Sequence, residues 1–102
     1  MNRVRRWNLK LEEFGISNER YTELKYACLQ YGQYKASKDE RWVYKIRAVE
    51  QAAEAADPAL AKYILRNVTE KAKFEEMPVP SGVNQFFRAR RRFFVELHRL
   101  LP

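Results

Sequence analysis

With 102 residues, 46% of them apolar, the chain has room for one domain with a real core, and its three Gly and four Pro argue against a loop-rich or all-β design. The single cysteine excludes an internal disulfide framework, the single histidine leaves almost no material for a zinc site, and no apolar run approaches the roughly 20 residues of a membrane span. A formal net charge of +7 from 20 basic and 13 acidic side chains, with a start (Met1 to Arg6) that leads into no apolar stretch, reads as a basic cytoplasmic protein with a polyanionic partner and no membrane association.

Residues 1–16 read as a basic N-terminal arm in which Arg3, Arg5, Arg6 and Lys10 surround Trp7. Such an arm can follow a phosphate backbone, or dock through Trp7 and leave its charges in water. Ser17 or Asn18 then caps a first helix, 17–34, whose apolar face is Tyr21, Leu24, Cys28 and Tyr31. Gly32 is the expected stop signal. Cys28 lies on the apolar face, and no activating partner is near it in sequence, so packing is its expected role.

Ser37 and Glu40 have capping-box spacing and open a second helix, 37–56. Trp42, Ile46, Val49, Ala53 and Ala56 share one arc of it, opposite Arg47, Glu50, Gln51 and Glu54. The alanines predict close approach of another helix, and the spread acidic residues do not form a catalytic pair. Asp57-Pro58 starts a third helix, 58–72, with Asp as cap and Pro in the first turn. Its buried face is Leu60, Ile64 and Val68. Pro78 and Pro80 prevent residues 73–81 from continuing that helix, and Phe74, Met77 and Val79 are expected to pin this connector to the core.

The last helix, 82–100, is expected to be capped by Ser81. Val83, Phe86, Phe87, Phe93, Phe94, Leu97, Leu100 and Leu101 cover half its circumference at ~100° per residue. Asn84, Gln85, Arg88, Arg91, Arg92 and Arg99 cover the other half, with Glu96 as the single acidic residue. Amides and arginines are the side chains that contact adenine and guanine edges bidentately, and arginines neutralise phosphates. Arg90 falls inside the apolar arc and is expected to pair with a carboxylate such as Glu50, Glu70 or Glu75, or to snorkel to the edge. His98, at the edge of that arc, is expected to be partly packed.

The charge is uneven along the chain. Residues 1–35 carry seven basic and four acidic side chains, residues 36–80 eight of each, and residues 81–102 five arginines against Glu96. The surplus at both ends points to nucleic acid. No glycine-rich phosphate loop, metal-ligand spacing or nucleophile–base pair is present in the sequence, so neither enzymatic activity nor a cofactor is expected.

Several segments carry a resemblance. They are Arg6-Trp7-Asn8-Leu9 through Phe14-Gly15-Ile16-Ser17, Tyr21 through Tyr31, and Ala56-Asp57-Pro58-Ala59-Leu60. Asn67-Val68-Thr69, Pro78-Val79-Pro80-Ser81-Gly82 and Phe86 through Phe94 continue it. Together they resemble small proteins encoded in bacterial prophages and mobile elements, most without assigned function. More distantly, the C-terminal part is similar to phage late-gene transcriptional regulators of the RinA/ArpU type. That likeness implies a helix-turn-helix whose second helix reads the major groove through Asn84, Gln85, Arg88, Arg91 and Arg92. Residues 73–81 exceed the usual turn of that motif, so either residues 69–77 hold an extra helical turn or the motif is not a true helix-turn-helix.

The expectation is a single all-α domain of four helices that binds double-stranded DNA and regulates phage or mobile-element genes. Arg3, Arg5, Arg6 and Arg99 would support the contacts of the last helix. An assembly module with an acidic protein partner is the alternative. RNA stacking on Trp7, Tyr26 or Tyr44 is a further reading, and Tyr26, Leu29 or Tyr44 are the residues a homodimer would use.

Overall fold

The computed structural model describes residues 11–102, and these form an all-helical domain. The helices are α1 (Asn18–Leu29), α2 (Tyr31–Ser37), α3 (Val43–Ala56), α4 (Ala61–Glu70) and α5 (Val83–Leu100), with 3-10 turns at Glu40–Trp42 and Phe74–Glu76. Arg3, Arg5, Arg6 and Trp7 lie outside the described residues. The arm's far end belongs to the core: Leu11 and Ile16 are both buried, and the chain turns between them through Gly15 at a φ of 80°.

Ser17 caps α1 by accepting from the backbone N–H of Arg20 at 3.0 Å. The single first helix expected over 17–34 is two helices, α1 and α2, and Gly32 is not the stop. The break falls at Gln30 (φ −89°, ψ −4°), and Gly32 lies inside α2. A glycine without positive φ weakens a helix without ending it. The redirected α2 buries Tyr34, which stacks on Trp42 with ring centroids 4.7 Å apart.

The proposed capping box at Ser37 does not form, because Ser37 is still the last residue of α2. Its hydroxyl donates to the Tyr34 carbonyl at 2.9 Å, and Lys38 reverses the chain at a φ of 56°. Asp39 is the cap instead, accepting from the Arg41 N–H at 2.9 Å. Helix α3 buries Ala48, Val49, Ala52, Ala53 and Ala56, while Trp42 and Ile46 stay half-exposed. The expected close approach is present: α3 and α5 make the most extensive interhelical contact.

Asp57 caps a turn and not the helix itself: its Oδ1 accepts from the N–H groups of Ala59 (2.9 Å) and Leu60 (3.3 Å), Pro58 lies in that turn, and the helix expected from 58 begins at Ala61 with Leu60 at its N-cap position. The turn it caps leads into α4, which buries Ala61, Ile64 and Val68 and ends in a left-handed Lys71. Residues 69–77 do hold an extra helical turn, Phe74–Glu76, and Met77 is buried beside it. Phe74 meets Phe86 at 5.4 Å. The link from α4 to α5 therefore runs over residues 71–82, far longer than the three or four residues of a helix-turn-helix turn, and α5 packs chiefly on α3. So α4 and α5 are not joined by the short turn of a helix-turn-helix: two prolines and a pinned aromatic turn separate them.

The last turn of α5 is held by a residue far away in sequence. Arg20 Nη2 donates to the carbonyls of Leu101 (2.6 Å) and His98 (3.3 Å), Nη1 to that of Pro102 (3.2 Å), and Nε to His98 Nδ1 (2.9 Å). A guanidinium there satisfies orphan carbonyls and faces the negative end of the helix dipole. His98 is half-buried, as expected.

Replacing Arg20 with Ala should lower stability by about 2 kcal/mol, the scale of several charge-assisted hydrogen bonds, read from the urea midpoint. Gly32→Ala should raise it by about 0.5–1 kcal/mol, since a Cβ there meets nothing within 4 Å. A loss of stability in the second variant would contradict a helical Gly32.

Candidate nucleic-acid interface

Helix α5 is divided lengthwise by its sequence. Phe86, Ala89, Phe93, Phe94 and Leu97 are buried against the domain, which leaves Asn84, Gln85, Arg88, Arg92 and Arg99 exposed on the other side. The expected cap fails by one residue: Gly82 occupies the N-cap position, and the Ser81 hydroxyl donates to the Gly82 carbonyl instead of accepting from the helix. With no side-chain cap, the first-turn N–H groups face outward beside Asn84 and Gln85.

The arginines meet different fates. Arg88 is exposed and makes no hydrogen bond or ion pair among the described residues. Arg92 donates from Nε to the carbonyl of Ala56 at 3.1 Å, at the end of α3. That acceptor is neutral, so Arg92 keeps its full charge while its position is restrained. Arg99 pairs with Glu96 at 3.2 Å, and 70% of its side chain remains exposed. Arg91 is half-buried and engaged, and with Arg92, Val95, Glu96 and the half-exposed Phe14 it lines a groove of about 370 Å3. Thus the structure brings Asn84, Gln85, Arg88, Arg91, Arg92 and Arg99 to one side of the helix, while Arg3, Arg5 and Arg6 lie outside the described residues.

Arg90 corrects the sequence reading. No carboxylate reaches it among the described residues. Its Nε donates to Asn67 Oδ1 at 2.6 Å and its Nη1 to the Tyr21 hydroxyl at 3.3 Å, and the guanidinium sits 5.0 Å from the Phe94 ring centroid. Glu50 is occupied by the Tyr31 hydroxyl and Lys35, Glu70 by Arg66. Neutral acceptors and a π face supply what an acidic partner was expected to supply.

Cys28 is fully buried, and burial pushes its thiol up to about 12 despite the opposing influence of Arg90. Tyr31 is also pushed well above the usual tyrosine range, by burial and by its hydrogen bond to Glu50. Tyr26 and Tyr44 are exposed, as is Leu29. Among the described residues no group of three His, Cys, Asp or Glu is placed to hold a metal ion, and no helix is long and apolar enough to cross a membrane. The chain matches no protein-family model, no curated protein and no solved structure.

Because Cys28 and Tyr31 hold their protons more tightly when folded, the stability they confer is complete below their unfolded pKa values. It is lost as pH rises, beginning near pH 9 for the thiol. Urea unfolding between pH 8 and 11 should show this decline, at up to about 1.4 kcal/mol per pH unit for the thiol and less for the solvent-screened Tyr31. Cys28→Ala should flatten it, and a disulfide reagent at pH 8 should modify Cys28 only as fast as the protein unfolds.

Proposed function

We propose that this protein binds double-stranded DNA through the outward face of α5 and acts as a transcriptional regulator of phage or mobile-element genes, a binding role and not a catalytic one. The observation that carries the reading is the first half of α5. There Asn84, Gln85 and Arg88 stand exposed at an uncapped helix N-terminus, with no acidic residue on the helix before Glu96. An α-helix fits the major groove, ~12 Å wide, and amides and guanidinium groups are the side chains that match purine edges there. Arg88 and Arg92 would contact phosphates or guanine. Arg99 can exchange Glu96 for a phosphate cheaply, since an exposed pair of this kind contributes roughly 0–1 kcal/mol.

Presentation would differ from a helix-turn-helix, because α5 is braced by α3 and not by a short preceding helix. The regulatory part of the reading rests on the distant resemblance of the C-terminal part of the sequence to phage late-gene regulators, and the net charge of +7 supports a polyanionic partner. One observation favours an acidic protein partner instead: Phe14 is exposed beside Arg91 and Arg92, an apolar and basic combination that suits an acidic peptide with a bulky side chain. Copurifying nucleic acid, seen as a high 260/280 absorbance ratio, favours DNA; a stoichiometric protein band favours the alternative.

Anisotropy titrations on a random-sequence duplex should give a log K against log salt slope of about −4, corresponding to four or five neutralised phosphates. An Arg88→Ala/Arg92→Ala double variant should reduce that slope by about two units. Binding that ignores salt, or that the double variant leaves intact, would refute the reading.

A further inference from the structure

On the inner side of α5, three helices converge on a cleft of about 150 Å3. Each supplies a pair of residues four positions apart, Lys25 and Leu29 from α1, Asn67 and Lys71 from α4 and its end, and Arg90 and Phe94 from α5, and α4 adds Val68. Three of the seven are cations and none is acidic. Among the described residues no carboxylate lies within ion-pair distance of any of these three cations. Lys25 and Lys71 are exposed and Arg90 is half-buried, and an anion placed among three like charges relieves their mutual repulsion.

Arg90 is prepared for such a ligand. Asn67 is held by its own Nδ2, which donates to the Ala72 carbonyl at 2.9 Å, so its Oδ1 is aimed at Arg90 Nε. Tyr21 takes Nη1, and Nη2 makes no hydrogen bond among the described residues. Lys25 Nζ lies 4.4 Å from the ring centroid of the same Tyr21. The guanidinium is thus oriented by neutral groups, with donor capacity and full charge in reserve. Leu29 and Phe94 add an apolar wall.

We propose that this cleft is a binding site for a phosphomonoester, its phosphoryl oxygens held by Arg90, Lys25 and Lys71 and its carbon end resting on Leu29 and Phe94. A phosphoryl dianion matches three cations better than a carboxylate does. The site is separate from the DNA-binding reading: Arg90 and Arg88 project from α5 about 200° apart.

Phenyl phosphate titrated into the full chain at fixed ionic strength, followed by NMR, should move the Arg90 Nε–H and Asn67 side-chain signals along saturable curves. Inorganic phosphate should move the same signals with at least threefold weaker affinity, for want of the ring. Lys71→Gly separates binding from folding. Lys71 has a φ of 61°, so glycine relieves strain and the variant should melt higher, yet bind phenyl phosphate at least fivefold more weakly. Lys25→Gln should weaken binding similarly, and Arg88→Ala should leave it unchanged. A DNA duplex should shift Asn84 and Gln85 and leave Arg90 alone; failure of the duplex to bind, with phenyl phosphate still saturating, supports the cleft and refutes only the reading of α5. Shifts that follow ionic strength without saturating, undiminished binding to folded Lys71→Gly, or displacement of phenyl phosphate by the duplex would overturn the proposal.

Discussion

Ala48, Ala52, Ala53 and Ala56 give α3 a face without side-chain bulk, and α5 lies against that helix with Phe86, Phe93, Phe94 and Leu97 wholly buried. Removing each of these side chains from water contributes about 2 kcal/mol, so the rotation of α5 about its axis is settled by its apolar half. Overpacked or empty positions in such an interface are costly, which is why small residues on one helix accompany large ones on the other. Once α5 is fixed in rotation, so is the direction of every polar side chain it carries.

The five arginines of α5 are sorted by that constraint. They share a charge and a helix, yet each acquires a different role from its angular position. Arg88 points to water; Arg92 reaches the carbonyl end of α3; Arg99 meets Glu96 one turn earlier; Arg91 lies half-buried along a groove; Arg90 turns inward to Asn67 and Tyr21. A sixth arginine, Arg20, holds the C-terminal turn of the same helix. The guanidinium thus serves here as a structural donor to neutral oxygens as often as it serves as a surface charge.

Periodicity made much of this legible. The buried stripe of α4, the phenylalanines and Leu97 of α5, the Ser17 cap and the burial of Cys28 follow from residue type and local spacing, and the structure bears them out, while Val83 and Leu100 at the two ends of the α5 stripe stay exposed and Asp57 caps only the turn before α4. Where local chemistry offered two solutions, residue spacing misled. Ser37 and Ser81 each preceded a helix at believable spacing, but Asp39 and Gly82 took the cap positions. Gly32 looked like a terminator and sits within a helix, because Tyr34 beyond it gains burial by continuing. The cleft of Lys25, Lys71 and Arg90 left no trace in the sequence, since its residues come from three separated helices.

The sequence alone therefore determined the helical class, the faces that would be buried and the surplus of positive charge, because these depend on residue type and on a repeat of fewer than four positions. Tertiary structure decided which cations remain open to a ligand and which are engaged by carbonyls, amides or rings. That outcome depends on distances between atoms as many as 82 positions apart in the chain, as in the hold of Arg20 on Pro102, and no local pattern encodes a distance of that kind.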